Sequence, residues 1–366
     1  MYYRLNRTIA LKWGNTMEKE KIILDVDTGS DDAVALVCAM LSDEFDLLGI
    51  TTVGGNSELK NTTDNTLRVV ECCGKEDEIP VYMGTELPIA STLVPWGIQG
   101  MTLPHYEGGG DEFASIHPDH LPLPEPKLKP QNERAAIWLV EKLLSMPDRS
   151  VTLVPVGPQT NIALAIRADD RILKKIKRVV MMGGSHNVYY PTQGAEFNVW
   201  FDPEAVEIVL SSGLDVTMVS LDATSNAVLN RKQAAAIRAI GTKPAILVAQ
   251  MIEQRLGAVD NSVEYDSKDV GAALHDPLAL CAVTHPEVLT DVWDTSCHID
   301  LGRGFAYGET VLGRNYQLIE GPDGTPQNLP VNCHYARAAD SEFFYHWVYD
   351  ILEKDKKRSL DDWITV

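Results

Sequence analysis

The sequence predicts an α/β fold: an open, mostly parallel, twisted sheet with helices on both faces, a Rossmann-like core, and a few antiparallel edge strands. Two observations predict it. Up to about residue 220, short apolar runs alternate with stretches of helical periodicity, the order that forms βαβ units and a parallel sheet. Later segments alternate apolar and polar residues, as antiparallel strands at a sheet edge do.

Each strand of the predicted parallel sheet is an apolar run that ends in a turn. The runs lie at residues 21–24, 47–53, 151–156, 178–182 and 215–219. Helices are predicted at residues 33–40, up to residue 72, and at 132–145, 203–212, 232–256 with an interruption at 241–244, 278–283 and 340–354. Between residues 84 and 130 the chain is rich in Pro and Gly without periodicity, which predicts a long functional or mobile loop.

Length and composition predict an ordinary globular protein. The chain has 366 residues, 45% of them hydrophobic, and shows no internal repeat or linker, so residues 17–366 are expected to form a single domain. Residues 1–16 carry only a brief apolar run and are expected to be a disordered extension.

Charge and cysteine usage limit the partners and the compartment. A formal net charge of −20 argues against nucleic acid and anionic membranes, because both would repel the protein. No apolar run approaches the length of a membrane span. Six cysteines without a CxxC pair, several of them in apolar segments, predict buried thiols in a reducing, cytoplasmic setting.

The strongest sign of chemistry is a cluster of acids between the first predicted strand and the first predicted helix. Asp25, Asp27, Asp31 and Asp32 fall within eight residues, at a strand-to-helix turn of the kind where open α/β sheets bind ligands. Like charges this close raise one another's pKa unless a cation neutralises them. The cluster therefore predicts a divalent metal, and its all-oxygen ligand set favours Ca²⁺ or Mg²⁺ over zinc.

Helix capping and an EF-hand loop account for this cluster less well than a metal site does. An aspartate at a helix start is a common N-cap, but capping needs a single side chain and leaves the remaining acids without a role. A calcium loop of the EF-hand type needs Gly at its sixth position and Glu at its twelfth, where counting from Asp25 gives Ser30 and Leu36.

Further polar residues follow the later predicted strands and should meet the acids at the carboxyl edge of the sheet. They are Asn56, Glu196, Asn198, His275 and Asp276, together with the end of the central strand at Val156. If residues 196–198 are extended, Glu196 and Asn198 share one side and Phe197 faces the core, although an exposed strand end would give this segment the same pattern. Asp276 and Pro277 could also be a simple helix cap and first-turn proline.

Together these segments resemble the calcium-dependent nucleoside hydrolases, which cleave the N-glycosidic bond of ribonucleosides. The resemblance runs from Lys21 to at least Cys281, and it depends on a combination of motifs in a fixed order. These are residues 22–33 (IILDVDTGSDDA), 52–56 (TVGGN), 154–158 (VPVGP) with 160–163 (TNIA), 182–184 (MGG), 195–198 (AEFN), 202–205 (DPEA) and 275–279 (HDPLA).

The resemblance implies a ligand set and a substrate site. Asp27, both oxygens of Asp32, the backbone carbonyl of Val156 and Asp276 would bind Ca²⁺. The residues implied to hold the ribose are Asp31 and Asn56 at the 2′- and 3′-hydroxyls, Glu196 and Asn198 at the 5′ side, and Met182 beneath the ring. His275 would lie near the departing base. The resemblance also implies a homotetramer or dimer that acts on a small-molecule ribonucleoside.

The chemistry of glycosidic cleavage suits these residues. The reaction passes through an oxocarbenium-like state, which a carboxylate-rich pocket stabilises as positive charge develops. A Ca²⁺-bound water would be the nucleophile, and Asp27 would be its general base, because calcium lowers the pKa of water only weakly. His275 is the candidate acid for the leaving base, since an imidazole ordinarily titrates near neutral pH.

The chain departs from the family pattern in two segments. Residues 97–101 (GIQGM) lack the His-Gly pair that many relatives have in the loop over the base, and residues 189–194 lack a commonly found Asn. Residues that could contact the base instead are Trp96, His105, Tyr106 and Tyr265. The preferred base, whether purine, pyrimidine or modified, does not follow from the sequence.

Two rival functions stay open at this point. A phosphatase of the haloacid dehalogenase type has an apolar strand ending in Asp-x-Asp-x-Thr, which would make Asp25 a nucleophile beside Mg²⁺, but this leaves the later motifs without a role. A non-catalytic calcium- or sugar-binding protein could share the pocket, although the presence of Asp27 argues against lost catalysis.

Overall fold

A computed structural model describes residues 18–94, 116–188, 192, 194–260, 271–313, 318–320, 326–328 and 330–364. The predicted extension at residues 1–16 lies outside these ranges. So do the segment 97–101 and the candidate base contacts Trp96, His105, Tyr106 and Tyr265.

The strands of the described residues form one large sheet and two small pairs. Their bounds are β1 (Glu20–Val26), β2 (Phe45–Thr52), β3 (Val81–Met83), β4 (Val151–Pro155), β5 (Ile176–Met182), β6 (Val216–Val219), β7 (Val228–Leu229), β8 (Ala272–Ala273), β9 (Leu289–Ile299), β10 (Thr310–Gly313), β11 (Leu318–Glu320), β12 (Pro326–Asn328) and β13 (Cys333–Ala339). Within the described ranges the large sheet has nine strands in the order β10-β9-β13-β6-β5-β4-β1-β2-β3.

The pairing confirms the predicted fold class. Along the sheet, each neighbouring pair from β3 through β2, β1, β4 and β5 to β6 is parallel, and so is the pair of β6 and β13. At one edge, β9 pairs antiparallel with both β13 and β10. The small pairs β7–β8 and β11–β12 are antiparallel as well.

Helices cover both faces of the sheet. They are α1 (Ser30–Leu41), α2 (Leu59–Cys72), α3 (Ala135–Ser145), α4 (Thr160–Ala168), α5 (Phe197–Phe201), α6 (Pro203–Leu210), α7 (Leu221–Thr224), α8 (Arg231–Ile240), α9 (Lys243–Asp260), α10 (His275–Thr284) and α11 (Ser341–Ile364). Successive side chains of β1 point to opposite faces of the sheet and enter two hydrophobic clusters. Ile22 and Leu24 lie in a cluster with α1, α9, α10 and α11. Ile23 lies in the second cluster, with α3, α4 and α6.

Helix α1 holds the acidic residues in place because it is buried on every side. Each of its residues is buried, and it packs against α2, α9, α10 and α11. A helix that is apolar all round belongs inside a protein, and its first turn here carries Asp31 and Asp32 into the interior. The sequence thus places two carboxylates where solvent does not reach them.

Two predictions about helix ends are confirmed, and one about residues 196–198 is wrong. Asp202 caps α6 by accepting from the backbone N–H of Ala205, and Gly241, at φ 87°, ends α8 at the predicted interruption. Residues 196–198 are not extended: Glu196 is the N-cap of α5, so Phe197 is half-buried at the helix start rather than in the core.

The start of α10 also differs from the simple capping interpretation. The helix begins at His275 with Leu274 at the N-cap position, so the carboxylate of Asp276 is free for another role. The six cysteines are free thiols, four of them buried, as predicted. No helix within the described residues is both long and apolar enough to cross a membrane.

Candidate active site

The predicted site residues meet at the carboxyl edge of the parallel strands. Asp27 and Asn56 follow β1 and β2, Val156 follows β4, and Met182 ends β5. The remaining members come from the starts of three helices: Asp31 and Asp32 of α1, Glu196 and Asn198 of α5, and His275 and Asp276 of α10. This convergence is the expected result of a doubly wound sheet.

Backbone and amide donors hold Asp27 and Asp32 against one another. Asp32 accepts from the backbone N–H of Asp27 at 3.2 Å and of Gly29 at 2.9 Å, and from the Asn56 amide at 3.2 Å. Asp27 accepts from the backbone N–H of Asn56 at 2.7 Å. The first two strands therefore end in a turn that fixes both carboxylates.

Glycines let the backbone close around Asp27. A Cβ on Gly55 would lie 2.1 Å from Asp27 Oδ2, and a Cβ on Gly157 would lie 2.6 Å from Asp27 Oδ1, so any larger residue at either position would displace the carboxylate. Asp27 Oδ1 is nevertheless buried without a hydrogen-bond partner among the described residues. A buried charged oxygen without a partner is costly, and a cation would satisfy it.

The acids repel one another in a buried site. Burial and repulsion by neighbouring aspartates raise the pKa of Asp27 and of Asp276 well above the usual range. The pKa of Asp32 rises to about 6, because burial and repulsion by Asp31 outweigh the hydrogen bond that it accepts from the backbone N–H of Gly29. The pKa values of these three neighbouring carboxyls are thus raised on balance, and carboxylate oxygens are the ligands that hard divalent cations prefer.

Asp31 is the exception, because Arg255 compensates its charge. Arg255 Nη2 lies 2.5 Å from Asp31 Oδ1, and both side chains are buried. Burial alone would raise the pKa of Asp31, but the charge of Arg255, with contributions from His117 and His275, lowers it to about 2. Asp31 thereby differs from Asp27, Asp32 and Asp276, whose pKa values are raised.

His117 is a neighbour that the sequence did not single out. Its ring nitrogen and oxygens of Asp31 and Asp32 lie within 4.8 Å of one another, so these three could also hold an ion. Burial and Arg255 lower the pKa of His117 to about 4, so its ring is neutral at neutral pH. A neutral ring cannot offset the charge of the acids, and hard cations prefer oxygen ligands to an imidazole nitrogen.

The other wall of the site is built from Glu196 and Asn198. Asn198 donates to the carbonyl of Val156 at 2.8 Å, and its amide nitrogen lies 3.3 Å from Met182 Sδ. Glu196 accepts from the backbone N–H groups of Asn198 and Gly184 at 2.9 and 3.0 Å. Burial raises the pKa of Glu196 to about 7 in spite of these hydrogen bonds.

His275 is positioned by two contacts but is not a neutral-pH titrating group here. Its backbone N–H donates to Asp31 Oδ2 at 3.3 Å, and its Nδ1 lies 2.7 Å from Thr224 Oγ1. Burial and the charge of Arg255 lower its pKa to about 4. At neutral pH the ring is therefore a neutral hydrogen-bonding group, which differs from the near-neutral titration expected of a general acid.

Asp25, the nucleophile required by the phosphatase hypothesis, is held inside the sheet by hydrogen bonds. It belongs to β1, and its Oδ1 accepts from Thr51 at 2.6 Å and from Asn161 at 2.8 Å. Burial raises its pKa to about 7. A carboxyl buried in a strand does not favour attack on a phosphoester, so the phosphatase hypothesis is not supported.

Comparisons with known proteins identify the family of this chain. The family model of the inosine-uridine preferring nucleoside hydrolases matches residues 22–346. The pyrimidine-specific ribonucleoside hydrolase RihA of Escherichia coli is 35% identical over 308 residues, which cover 83% of this chain and 92% of the relative. The inosine-uridine preferring nucleoside hydrolase of Leishmania major is 34% identical over 336 residues, covering 91% of this chain and 98% of that protein.

The solved structures show the same fold. A purine-preferring ribonucleoside hydrolase from Gardnerella vaginalis superposes with a TM-score of 0.77 at 26% sequence identity, covering 92% of this chain and 99% of that one. Sequence match and fold agree along nearly the whole chain. The protein belongs to the inosine-uridine preferring nucleoside hydrolase family, and it is an N-glycosidase that hydrolyses ribonucleosides to ribose and free base.

Proposed function

We propose that this hydrolase works with Ca²⁺ held by Asp27, Asp32, Asp276 and the carbonyl of Val156, and that Asp27 is the general base. The observation that carries the proposal is the buried carboxyl cluster in which Arg255 pairs with Asp31, while burial and mutual repulsion still raise the pKa of Asp27 and of Asp276. When bound, the ion would supply the positive charge that orients the attacking water and the sugar hydroxyls.

Asp27 is the best placed base of the cluster. Its Oδ2 is fixed by the backbone N–H of Asn56, while its buried Oδ1 has no hydrogen-bond partner in the described part of the chain. Each carboxylate oxygen has two lone pairs, so a fixed Asp27 could bind a cation and still accept a proton from water. Such proton removal contributes about 10²–10⁴-fold to a rate. The close approach of Gly55 and Gly157 keeps that carboxylate from rotating away.

The ribose would lie between the two walls of the site. Asp31 and Asn56 are proposed to hold its 2′- and 3′-hydroxyls, and Glu196 and Asn198 its 5′ side, with Met182 beneath the ring. Negative charge on both walls would stabilise the oxocarbenium-like transition state more than the neutral nucleoside, which is the condition for a faster chemical step. His275 is proposed to face the departing base as a hydrogen-bonding group.

Asn198→Ala is expected to weaken ribose recognition. The change removes the amide that fixes Val156 and contacts Met182, so the wall loses a hydrogen bond worth about 1 kcal/mol and its anchor at the 5′ side. KM for a ribonucleoside should rise about tenfold. Steady-state kinetics check this, and unchanged kinetics with 5′-deoxy as well as normal nucleosides would remove Asn198 from the site.

A nucleoside panel tests the proposed function. Purified protein is given purine and pyrimidine ribonucleosides, and reducing sugar and free base are measured with and without a chelator. Release of both in equal amounts, lost on chelation, supports the proposal and identifies the preferred base. Phosphate release from phosphoesters without ribose from any nucleoside would favour the phosphatase, and nucleoside binding without turnover would favour a sugar-binding protein.

The quaternary state and setting are also proposals. We infer a homo-oligomer, a dimer or tetramer, formed by a single domain over residues 17–366, because the family resemblance implies assembly. Free, mostly buried thiols agree with a cytoplasmic enzyme of nucleoside salvage or catabolism. Light scattering on the full chain measures the assembly directly, and a monomer at micromolar concentration would contradict it.

A further inference from the structure

Arg255 is a buried arginine whose donors join two separate parts of the site. Its Nε donates to Ser30 Oγ at 2.8 Å at the start of α1, and its Nη1 donates to the carbonyl of Ala273 at 3.0 Å just before α10. Its Nη2 forms the 2.5 Å ion pair with Asp31, and the same nitrogen lies 3.5 Å from the ring of His117. The guanidinium thus bridges α1 and the segment that leads into α10.

The surroundings of Asp31 show what this bridge does. One carboxylate oxygen contacts Arg255, and the other accepts from the backbone N–H of His275 at 3.3 Å. With one oxygen paired to Arg255 and the other bonded to the backbone of His275, the carboxylate is held against rotation, yet each oxygen has two lone pairs and can still accept another hydrogen bond. The planar guanidinium contacts Ser30, Ala273 and Asp31 through three different nitrogens, a fixed geometry that a lysine ammonium does not reproduce.

We propose that Arg255 is a positioning residue that orients Asp31 to recognise the hydroxyls of the ribose. The inference rests on the proposed role of Asp31 at the 2′- or 3′-hydroxyl. It extends that role to Arg255, which holds the Asp31 carboxylate in the orientation that recognition requires. Because Ala273 lies two residues before His275, the same guanidinium also sets the distance between the sugar site and the start of α10.

A purely structural role makes a different prediction from a positioning role. If Arg255 only stabilises the fold, its loss should impair all substrates equally and should weaken metal binding along with stability. If Arg255 orients Asp31, its loss should impair substrates that carry the recognised hydroxyl and spare analogues that lack it. Metal binding should not weaken, because removing a positive charge beside the acids reduces repulsion of a cation.

The test compares Arg255→Gln and Arg255→Lys with Arg238→Gln. Arg238 pairs with Glu253 in a half-exposed position between α8 and α9, so its loss removes an arginine–carboxylate pair away from the site. Each variant is assayed with a ribonucleoside and with its 2′-deoxy and 3′-deoxy analogues, together with the calcium concentration for half-maximal rate and the melting temperature.

The expected result is selective. For Arg255→Gln, kcat/KM with the ribonucleoside should fall about 100-fold, the effect of losing one charged hydrogen bond, while at least one deoxy analogue should lose less than about threefold. Arg255→Lys should recover about tenfold of the loss, since the charge returns without the fork. The calcium requirement should be unchanged or lower, and Arg238→Gln should behave as the wild type.

Three results would overturn the inference or the function on which it rests. An equal loss on every substrate would assign Arg255 a structural role, and an unchanged ribonucleoside rate would assign it none. If Arg255→Gln does not fold, Arg255→Lys decides by the same selectivity between the ribonucleoside and its deoxy analogues. A wild-type protein that releases no ribose would instead contradict the proposed function. The assay of the wild type alone measures this, so the two failures are distinguishable.

Discussion

Replacing Asp27 with alanine is expected to stop turnover while leaving the fold nearly intact. The change removes the proposed base, which is also a proposed metal ligand, so kcat should fall by about 10²–10⁴-fold or more. Stability should change by only about 1 kcal/mol, because the lost acceptor of the Asn56 N–H is offset by relief of repulsion with Asp32. Ribose release and chemical unfolding measure the two effects.

Two controls make the Asp27 result specific. Asp27→Asn keeps an acceptor for the Asn56 N–H but cannot take a proton, so it should be as slow as the alanine variant. Asp46→Asn changes an exposed acid of β2 and should be fully active. A normal rate in either Asp27 variant would refute the assignment of the base.

Replacing Asp276 with asparagine is expected to have opposite effects on stability without and with metal. In metal-free protein the change removes a buried carboxyl repelled by Asp31, Asp32 and Asp27, so stability should rise by about 1–3 kcal/mol. With calcium at 100 times its Kd the wild type should gain about 2.7 kcal/mol, and the variant should gain much less. Turnover should fall about 100-fold or more, because one ligand is lost.

Thermal melts of the wild type and of the Asp276 variant, each with chelator and with excess calcium, give the four stabilities to be compared. The Asp46→Asn protein, which also loses one negative charge, separates a local effect from a general reduction of net charge. Equal calcium-induced shifts in the Asp276 variant and the wild type would exclude Asp276 from the ligand set.

The sequence predicts the sheet well because its strands are buried runs whose periodicity is local. The side chains of β1 are buried in two hydrophobic clusters, one on each face of the sheet. A strand that is buried on both faces can be recognised from its continuous run of apolar residues. The convergence of the candidate residues was predictable for another reason: the carboxyl ends of parallel strands meet at one edge of a sheet, so residues as far apart as Asp32 and Asp276 were expected in one crevice.

What the sequence did not predict depends on contacts between distant segments. Arg255 and its partner Ser30 are separated by 225 residues, and nothing in the helical pattern of α9 indicates that its arginine faces the acids. The neutral state of His275 follows from burial and from that same arginine, so an ordinary imidazole pKa gave the wrong expectation. The short helix at Phe197 formed because Glu196 caps it, a local choice that alternation along a strand could not reveal.

The calcium dependence of ribose release tests the proposed metal site most directly. Protein stripped with a chelator is assayed on a ribonucleoside, then calcium, magnesium or zinc is added in increasing amounts. If the acid cluster holds a catalytic Ca²⁺, the stripped protein should show no turnover and should recover fully with calcium, in proportion to the metal bound. Full turnover in the stripped protein, or recovery with zinc but not with calcium, would contradict the proposed site.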